Sequence, residues 1–118
     1  MTTQPERSST VILINSDGMG RGDPELQQKL ISTYLKLLLE NKYLPTAICF
    51  YTEGIRLVVE GSSVLEQLRF LEQAGVRLVI CGTCLNHYQL EGKVQVGIVG
   101  GMNDILEYQW RADKVITL

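Results

Sequence analysis

The sequence predicts an α/β protein with three layers, an α/β/α sandwich built on a mostly parallel sheet of about five strands. Short β-branched apolar runs alternate along the 118 residues with longer segments whose apolar residues recur at helical spacing. The strand-like runs are apolar at consecutive positions, as in strands covered on both faces. Strands and helices that alternate in this way are typical of consecutive β-α-β units.

A strand and a long helix are predicted in the first third of the chain. TVILIN (residues 10–15) is an apolar run that stops at a glycine-rich loop, SDGMGRG (residues 16–22). Asp23 can accept hydrogen bonds from free helical N–H groups, and the fixed φ angle of Pro24 suits the first helical position. Apolar residues then recur at helical spacing, so the helix is expected to run to about Glu40.

The second strand is predicted at TAICFY (residues 46–51), another continuous apolar run. Residues 52–61 receive no assignment, because their apolar residues fit either a helical turn or an extended loop. Ser63 and Glu66 match a capping box, which predicts that the second helix begins there. Gly75 suits the left-handed C-terminal cap of that helix.

The third strand is predicted at VRLVI (residues 76–80), directly before CGTC. The remaining predicted elements are a short helix at 85–90, a strand at 94–99, a helix at 102–109 and a terminal strand at 114–118. This order favours a flavodoxin-like sheet, in which function collects beyond the carboxyl ends of the strands. Three segments are therefore expected to meet at one edge: residues 16–22, 81–84 and 100–103.

Composition and charge exclude several classes of function. Hydrophobic residues make up 45% of the chain and charged residues 20%, as in ordinary globular domains. The net charge of −2 offers no basic surface for nucleic acid. No apolar leader and no run long enough to cross a bilayer is present, so we expect a cytoplasmic protein that does not insert into membranes. Residues 1–9 are predicted to be a flexible tail, and residues 10–118 a single domain.

The cysteine pair Cys81 and Cys84 is the strongest candidate for chemistry. In a reducing compartment, two closely spaced cysteines are more often reactive or metal-binding than structural. At the start of a helix their thiolates gain stabilisation from free N–H groups. Gly82 would let the backbone bend, and the hydroxyl of Thr83 could donate to a sulfur anion. The spacing alone equally fits two small residues packed under a helix.

Metal binding is disfavoured by the number and placement of ligands. Cys81, Cys84 and His87 are three potential ligands, whereas a structural zinc site requires four. Cys49 is expected within a strand and is interpreted as a core residue. His87 is either a proton donor beside Cys84 or a solvated surface side chain. No metal and no cofactor are therefore expected.

The glycine-rich loop after the first strand allows two interpretations. Its backbone N–H groups could surround an anion, yet the GxGxG spacing matches no established nucleotide motif. It also fits an ordinary loop between a strand and a helix, and Arg21 could hold an anion or steady a thiolate. The residues expected to line a pocket around the cysteines are Ser16, Asp17, Gly18, Gly20, Arg21, Gly82, Thr83, Gly100, Gly101, Met102 and Asn103.

Four segments in order resemble the DsrE/DsrF-like family, in particular the C-terminal domain of YedF-type selenium metabolism proteins. The segments are LINSDGMGRGD (13–23), GVRLVICGTCL (75–85), GMNDILE (101–107) and ADKVITL (112–118). The resemblance implies a homo-oligomer and a sulfurtransferase-like role, with sulfur held as a persulfide on the cysteine after the third strand. Cys81 occupies that position, and Cys84 belongs to the CGTC variant of the YedF-type branch.

Two departures from the family pattern accompany this resemblance. YedF-type proteins usually carry an N-terminal sulfur-carrier domain of the SirA/TusA type, whereas a short tail precedes the first strand here. A separate carrier protein of that type is therefore the expected partner. The chain also has Thr52-Glu53-Gly54 where the family commonly has asparagine and serine before the glycine. This difference places an acidic group near the expected site.

The leading hypothesis is a sulfur or selenium relay. In it, Cys81 attacks the outer sulfur of a donor and holds it as a persulfide. An acceptor thiolate then takes the sulfur, or Cys84 displaces it as a disulfide forms. Two alternatives stay open: a non-catalytic ligand-binding or oligomeric interaction module of the same fold, and a CxxC thiol-disulfide oxidoreductase.

Overall fold

The computed structural model of the protein describes residues 9–118. Within this range, five strands alternate with four α-helices and two short 3₁₀ segments. In chain order these elements are β1 (Thr10–Ile14), α1 (Pro24–Glu40), β2 (Ala47–Phe50), a 3₁₀ helix (Thr52–Val58), α2 (Leu65–Gln73), β3 (Arg77–Cys81), α3 (Gly82–His87), a 3₁₀ turn (Glu91–Lys93), β4 (Ile98–Gly100), α4 (Met102–Arg111) and β5 (Lys114–Thr117).

The sheet is parallel at every strand pair, in the order β4-β3-β2-β1-β5. Each step from β1 through β4 moves one position in the same direction. The chain then crosses the whole sheet to place β5 beside β1. This arrangement confirms the predicted α/β fold with a five-stranded parallel sheet.

The core has two parts, one on each face of the sheet. Ile12 and Ile14 of β1 point into the larger cluster, where they meet side chains from α1, α2 and α3. Val11 and Leu13 point into the smaller cluster, to which α4 contributes Ile105. Because helices cover both faces, the central strands are buried at consecutive positions, which explains the unbroken apolar runs in the sequence.

Helix α1 begins as predicted, whereas α2 does not. The Asp23 side chain accepts a hydrogen bond from the Leu26 N–H and caps α1. The capping box predicted at Ser63 is not formed, because α2 begins at Leu65 after Val64, and no side chain of the described residues caps it. Ser63 instead donates from its hydroxyl to Gln28 of α1 at 3.0 Å, a partner that local spacing does not reveal.

The C-terminal end of α2 agrees with the prediction. Gly75 has a φ of +102°, the left-handed conformation expected of a glycine after the last helical turn. Its N–H donates to the Glu72 carbonyl oxygen at 3.0 Å, and the Val76 N–H donates to that of Leu71 at 3.0 Å. These bonds satisfy helical carbonyl groups and turn the chain into β3.

Strand β4 lies at Ile98–Gly100, whereas the apolar run predicts it at residues 94–99. Gly97 adopts a φ of +86°, which interrupts an extended strand. Val94 forms an antiparallel bridge to Val59, so the first part of the apolar run pairs outside the sheet. The short helix predicted at residues 85–90 begins earlier, at Gly82, because the chain turns directly out of β3.

The predicted tail at residues 1–9 lies outside the described residues except for Ser9. Ser9 is hydrogen-bonded to Asp113 through its backbone N–H and its hydroxyl. None of the helices within residues 9–118 has the length and hydropathy that a bilayer crossing requires.

Candidate functional site at the cysteine pair

The two cysteines meet at the carboxyl edge of the sheet. Cys81 is the last residue of β3, and Cys84 lies in the first turn of α3. Their sulfur atoms are 3.1 Å apart, with the Cys84 thiol donating to Cys81, and both thiols are free. Cys81 is only 2% exposed, whereas Cys84 is half-buried and reaches the surface. The pair therefore has one buried member and one accessible member.

A backbone donor from the neighbouring strand completes the surroundings of Cys84. The Thr52 N–H, two residues after the end of β2, donates to the Cys84 sulfur at 3.0 Å. Thr52 has a φ of +47°, a conformation that side chains branched at Cβ rarely adopt. Its hydroxyl lies 2.8 Å from the Asn15 carbonyl oxygen and 2.7 Å from that of Tyr51. These contacts hold the turn, so the N–H direction is fixed.

The pKa of the Cys84 thiol is raised above its ordinary value. Burial is the largest cause, and the hydrogen bond with Cys81 and the charge of Cys81 add to it. The Thr52 N–H acts in the opposite direction, because it favours the thiolate. Burial alone raises the pKa of Cys49 to about 11, so this third cysteine is protonated and unreactive near neutral pH.

Replacing Cys81 with alanine is expected to lower the pKa of Cys84. The substitution removes both contributions of Cys81 that favour the protonated thiol. The alkylation rate of Cys84, followed by mass spectrometry across pH, should then reach its half-maximum at a lower pH than in wild type. A Cys49→Ala variant is the matched control, because Cys49 is not among the groups that shift the pKa of Cys84. An unchanged or higher midpoint in Cys81→Ala would contradict this electrostatic account.

A polar cluster lies beside Cys84 at the surface. Arg56 donates from Nε to Glu53 at 2.6 Å, and its guanidinium lies 4.7 Å from the centre of the Tyr88 ring. The Arg56 hydrogen bond, followed by one from the Tyr88 hydroxyl, lowers the pKa of Glu53. His87 packs edge-on against Tyr88, with ring centres 4.9 Å apart. Glu53 is thus the acidic group expected near the site, and it is already paired.

The glycine-rich loop folds against its own helix. Met19 donates its backbone N–H to the Gln27 carbonyl oxygen, and the Gln27 side chain donates to the Gly20 carbonyl oxygen at 2.6 Å. The Ser16 hydroxyl donates to the Gly18 carbonyl oxygen. Within residues 9–118, Arg21 is exposed and makes no hydrogen bond or ion pair. The loop is therefore stabilised by contacts within residues 16–28.

Asp17, in the glycine-rich loop, interacts electrostatically with Arg56 and Glu53 of the polar cluster. Burial raises the pKa of Asp17, while a hydrogen bond from Gln28 and the charge of Arg56 lower it. Strand β2 stands between β1 and β3 in the sheet, so the segment Thr52–Val58 separates this loop from the cysteines. The structure therefore brings the start of the glycine loop to the polar cluster.

The end of β4 packs against Gly82, the first residue of α3. A Cβ atom at Gly82 would lie 3.2 Å from Val99 Cγ1 and 3.4 Å from the Gly100 carbonyl oxygen. The Gly101 N–H donates to the Asp104 carboxylate at 2.9 Å, near the start of α4. Two further residues, Met102 and Asn103, are exposed on the first turn of that helix. Strand β4 thus lies against the start of α3, on the side of the cysteine pair away from the glycine loop.

The sequence does not predict the group that donates a hydrogen bond to the Cys84 sulfur. Thr83 is the donor expected from the sequence, but it is exposed, and no hydrogen bond joins its hydroxyl to either sulfur among residues 9–118. Thr52 supplies the donor instead. The position of Thr52 could have been inferred, because it follows the apolar run that forms β2. Strand β2 lies beside β3, and parallel strands end at the same edge of a sheet. No sequence pattern places Arg56 or Tyr88 beside the cysteines.

No metal site is formed by the described residues: among residues 9–118, no three side chains of His, Cys, Asp or Glu converge as metal ligands would. His87 lies on Tyr88 and makes no hydrogen bond to a sulfur atom of the pair within the same range.

The family model of the DsrE/DsrF-like family matches residues 12–118, almost the whole chain. The chain belongs to the DsrE/DsrF-like family. The family-level resemblance carried by the four sequence segments is thereby confirmed, and the finer resemblance to YedF-type proteins stays a prediction. A comparison with curated proteins gave no significant match.

Three solved structures share the fold of this DsrE/DsrF-like protein. The YchN protein from E. coli superposes with a TM-score of 0.69 at 17% identity, covering 95% of this chain and 100% of that one. MTH1491, a protein of unknown function from Methanobacterium thermoautotrophicum, gives 0.70 at 18% identity, with 95% and 100% covered. BT1422, a conserved protein of unknown function from Bacteroides thetaiotaomicron, gives 0.60 at 13% identity, with 93% and 95% covered. At these identities the likeness concerns the fold alone.

Proposed function

We propose that this protein carries sulfur as a cysteine persulfide in a relay between thiol-bearing partners. The observation that carries the proposal is the pair of free thiols at the carboxyl edge of the sheet, 3.1 Å apart, with one thiol open to solvent. Membership of the DsrE/DsrF-like family and the CGTC segment support the same chemistry. The YedF-type resemblance extends the proposal to selenium, which undergoes the analogous exchange.

The relay is an exchange of one sulfur atom without net oxidation. A thiolate of the pair attacks the outer sulfur of a donor persulfide, R–S–SH. A bond forms between the cysteine sulfur and that outer sulfur, while the donor S–S bond breaks and its electron pair leaves on R–S⁻. The cysteine then carries Cys–S–SH. An acceptor thiolate repeats the exchange on the outer sulfur and restores the cysteine thiolate.

The partners in this proposal are thiol proteins of the cytoplasm. A sulfur carrier of the SirA/TusA type is the natural donor or acceptor, because its own cysteine presents sulfur at a surface. Cys84 opens to solvent beside the paired Glu53 and Arg56, so a partner's cysteine can reach it directly. A homo-oligomer of this chain is part of the same proposal.

The first experiment is intact-mass analysis after incubation with glutathione persulfide, with and without a reductant. We expect wild type and Cys49→Ala to gain one sulfur atom that the reductant removes. A variant lacking both Cys81 and Cys84 should gain none. Equal loading of this double variant, or no loading of wild type, would show that the pair is not a sulfur carrier.

A thiol-disulfide oxidoreductase is the second candidate, and the short distance between the two sulfurs favours it. A disulfide bond is about 2 Å long, so a shift of about 1 Å would close one between Cys81 and Cys84. The two electrons and two protons would pass to a disulfide of the partner. In the same mass measurement, this activity predicts a reversible loss of two hydrogen atoms and no gain of sulfur.

A further inference from the structure

The two cysteines differ in accessibility, and this difference bears on their order of action. Cys81 is 2% exposed and belongs to the smaller core cluster, together with Val79 and Ile105. Cys84 is half-buried and lies one helical turn further towards the surface. The outer sulfur of a persulfide on another protein must reach the attacking thiolate in line with the bond that breaks. Of the pair, only Cys84 offers that approach in this structure.

The Thr52 turn provides the second, independent observation. A threonine with a φ of +47° is strained, and strained residues persist where surrounding contacts hold them. Here the hydroxyl of Thr52 is held by the Asn15 carbonyl, and Gly54 packs against the backbone of Ile14. In this conformation the Thr52 N–H points at the Cys84 sulfur, which lies 3.0 Å from the nitrogen.

A backbone N–H is a donor that no change of pH removes. It stabilises a sulfur anion more than a neutral thiol, because hydrogen bonds to charged acceptors are the stronger ones. Cys84 becomes an anion when it loses its proton to solvent, and again when it leaves as the acceptor takes the outer sulfur. The Thr52 N–H is therefore suited to both steps, and Cys81 has no such donor among residues 9–118.

We propose that Cys84 is the residue that accepts and carries the sulfur, and that Thr52 is the positioning residue whose backbone N–H stabilises its thiolate. Cys81 is then the buried second thiol. This assignment rests on the proposed relay function and reverses the roles expected from the sequence, in which Cys81 is the carrier.

The sequence of steps follows from this assignment. The Cys84 thiolate attacks the outer sulfur of R–S–SH and becomes Cys84–S–SH, while R–S⁻ leaves. An acceptor thiolate then takes the outer sulfur and returns Cys84 to the thiolate held by Thr52.

Single variants separate the two thiols. With glutathione persulfide, Cys81→Ala is expected to gain one sulfur at least as fast as Cys49→Ala, whereas Cys84→Ala should lose the gain. The opposite result, or equal loading of both variants, would overturn the assignment and leave the relay standing. Absence of loading in wild type would overturn the relay itself.

A measurement on the wild-type protein covers the case in which a cysteine variant does not fold. Brief alkylation of the native protein is followed by fragment-ion mapping of the peptide that holds both cysteines. Cys84 should be modified first. Earlier modification of Cys81 would contradict the proposed order.

The role of Thr52 is tested by the pH dependence of Cys84 alkylation. Thr52→Val keeps the branched shape but removes the hydroxyl that fixes the turn, and Thr52→Ser keeps the hydroxyl as the matched control. In the Cys81→Ala background, Thr52→Val should move the alkylation midpoint to higher pH, and Thr52→Ser should leave it in place. Equal midpoints in the two variants would show that Thr52 does not act on the thiolate.

Discussion

Replacing Gly54 with alanine is expected to lower the free energy of unfolding by about 3 kcal/mol. A Cβ atom at this position would lie 2.1 Å from the Ile14 carbonyl oxygen and 2.8 Å from its carbonyl carbon. Both atoms belong to the backbone of β1, which is paired with a strand on each side, so they cannot move aside as a flexible side chain would. The segment after β2 must shift, and it carries Thr52 with it.

The matched control for this variant is Gly92→Ala. No atom of the described residues lies within 4 Å of the place that a Cβ would take at Gly92, and its backbone is not left-handed. Alanine there should leave stability within about 1 kcal/mol of wild type. Unfolding of both variants in urea, monitored by circular dichroism, measures the difference. Equal midpoints would mean that the contact with Ile14 does not restrain this turn.

The Gly54→Ala variant also links the Thr52 turn to the chemistry of the site. Because Thr52 would be displaced, Gly54→Ala should also slow the sulfur loading of Cys84, whereas Gly92→Ala should load at the wild-type rate. Loading at the wild-type rate in a destabilised Gly54→Ala protein would show that the position of the turn does not matter for the exchange.

Replacing Gly97 with alanine is the second large effect we expect, again about 3 kcal/mol of lost stability. Two costs combine: left-handed backbone at a φ of +86°, worth about 1–2 kcal/mol, and overpacking, worth about 1–3 kcal/mol. The added Cβ would lie 2.9 Å from the Leu78 carbonyl oxygen and 2.9 Å from Ile80 Cδ1. This glycine lets the chain enter β4 closely alongside β3.

Gly75→Ala separates these two costs. Gly75 has a φ of +102°, but no atom of the described residues lies within 4 Å of an added Cβ, so alanine there meets only the conformational cost. Urea unfolding should therefore place Gly75→Ala between wild type and Gly97→Ala. A Gly97→Ala protein as stable as Gly75→Ala would show that the packing of Gly97 on β3 contributes nothing.

The strands are predictable because a parallel sheet covered on both faces needs residues that are apolar at consecutive positions. β1, β2 and β3 each fall largely within one such run, and their boundaries agree with the prediction to within two residues. The errors occur where a partner distant in sequence decides the local structure. Ser63 hydrogen-bonds to Gln28 rather than capping α2, and Val94 pairs with Val59 rather than extending β4.

In the site, too, local sequence patterns predict one part, and contacts between distant residues decide the rest. The sequence predicts that Cys81 and Cys84 lie together at the carboxyl edge, because three-residue spacing after a strand suffices for that. Cys81 is buried in a cluster that includes Ile105 of α4, a residue distant in sequence, so no local pattern predicts which thiol is exposed. The direction of the Thr52 N–H depends on a contact with Asn15, which lies 37 residues away at the end of β1. Such geometry becomes visible only in the folded chain.

The pairing of β5 with β1 has a consequence for how this protein is made. Ser9 and Asp113 are hydrogen-bonded across a separation of 104 residues, so the sheet is completed by one of its most distant contacts. Contacts of this kind form late, because a long stretch of chain must be ordered before they contribute stability. During synthesis, one edge of β1 therefore stays unpaired on the ribosome while most of the domain is already present. Nascent chains with an open strand edge are prone to associate with one another. We therefore expect newly synthesised chains of this protein to need chaperones until β5 has paired with β1.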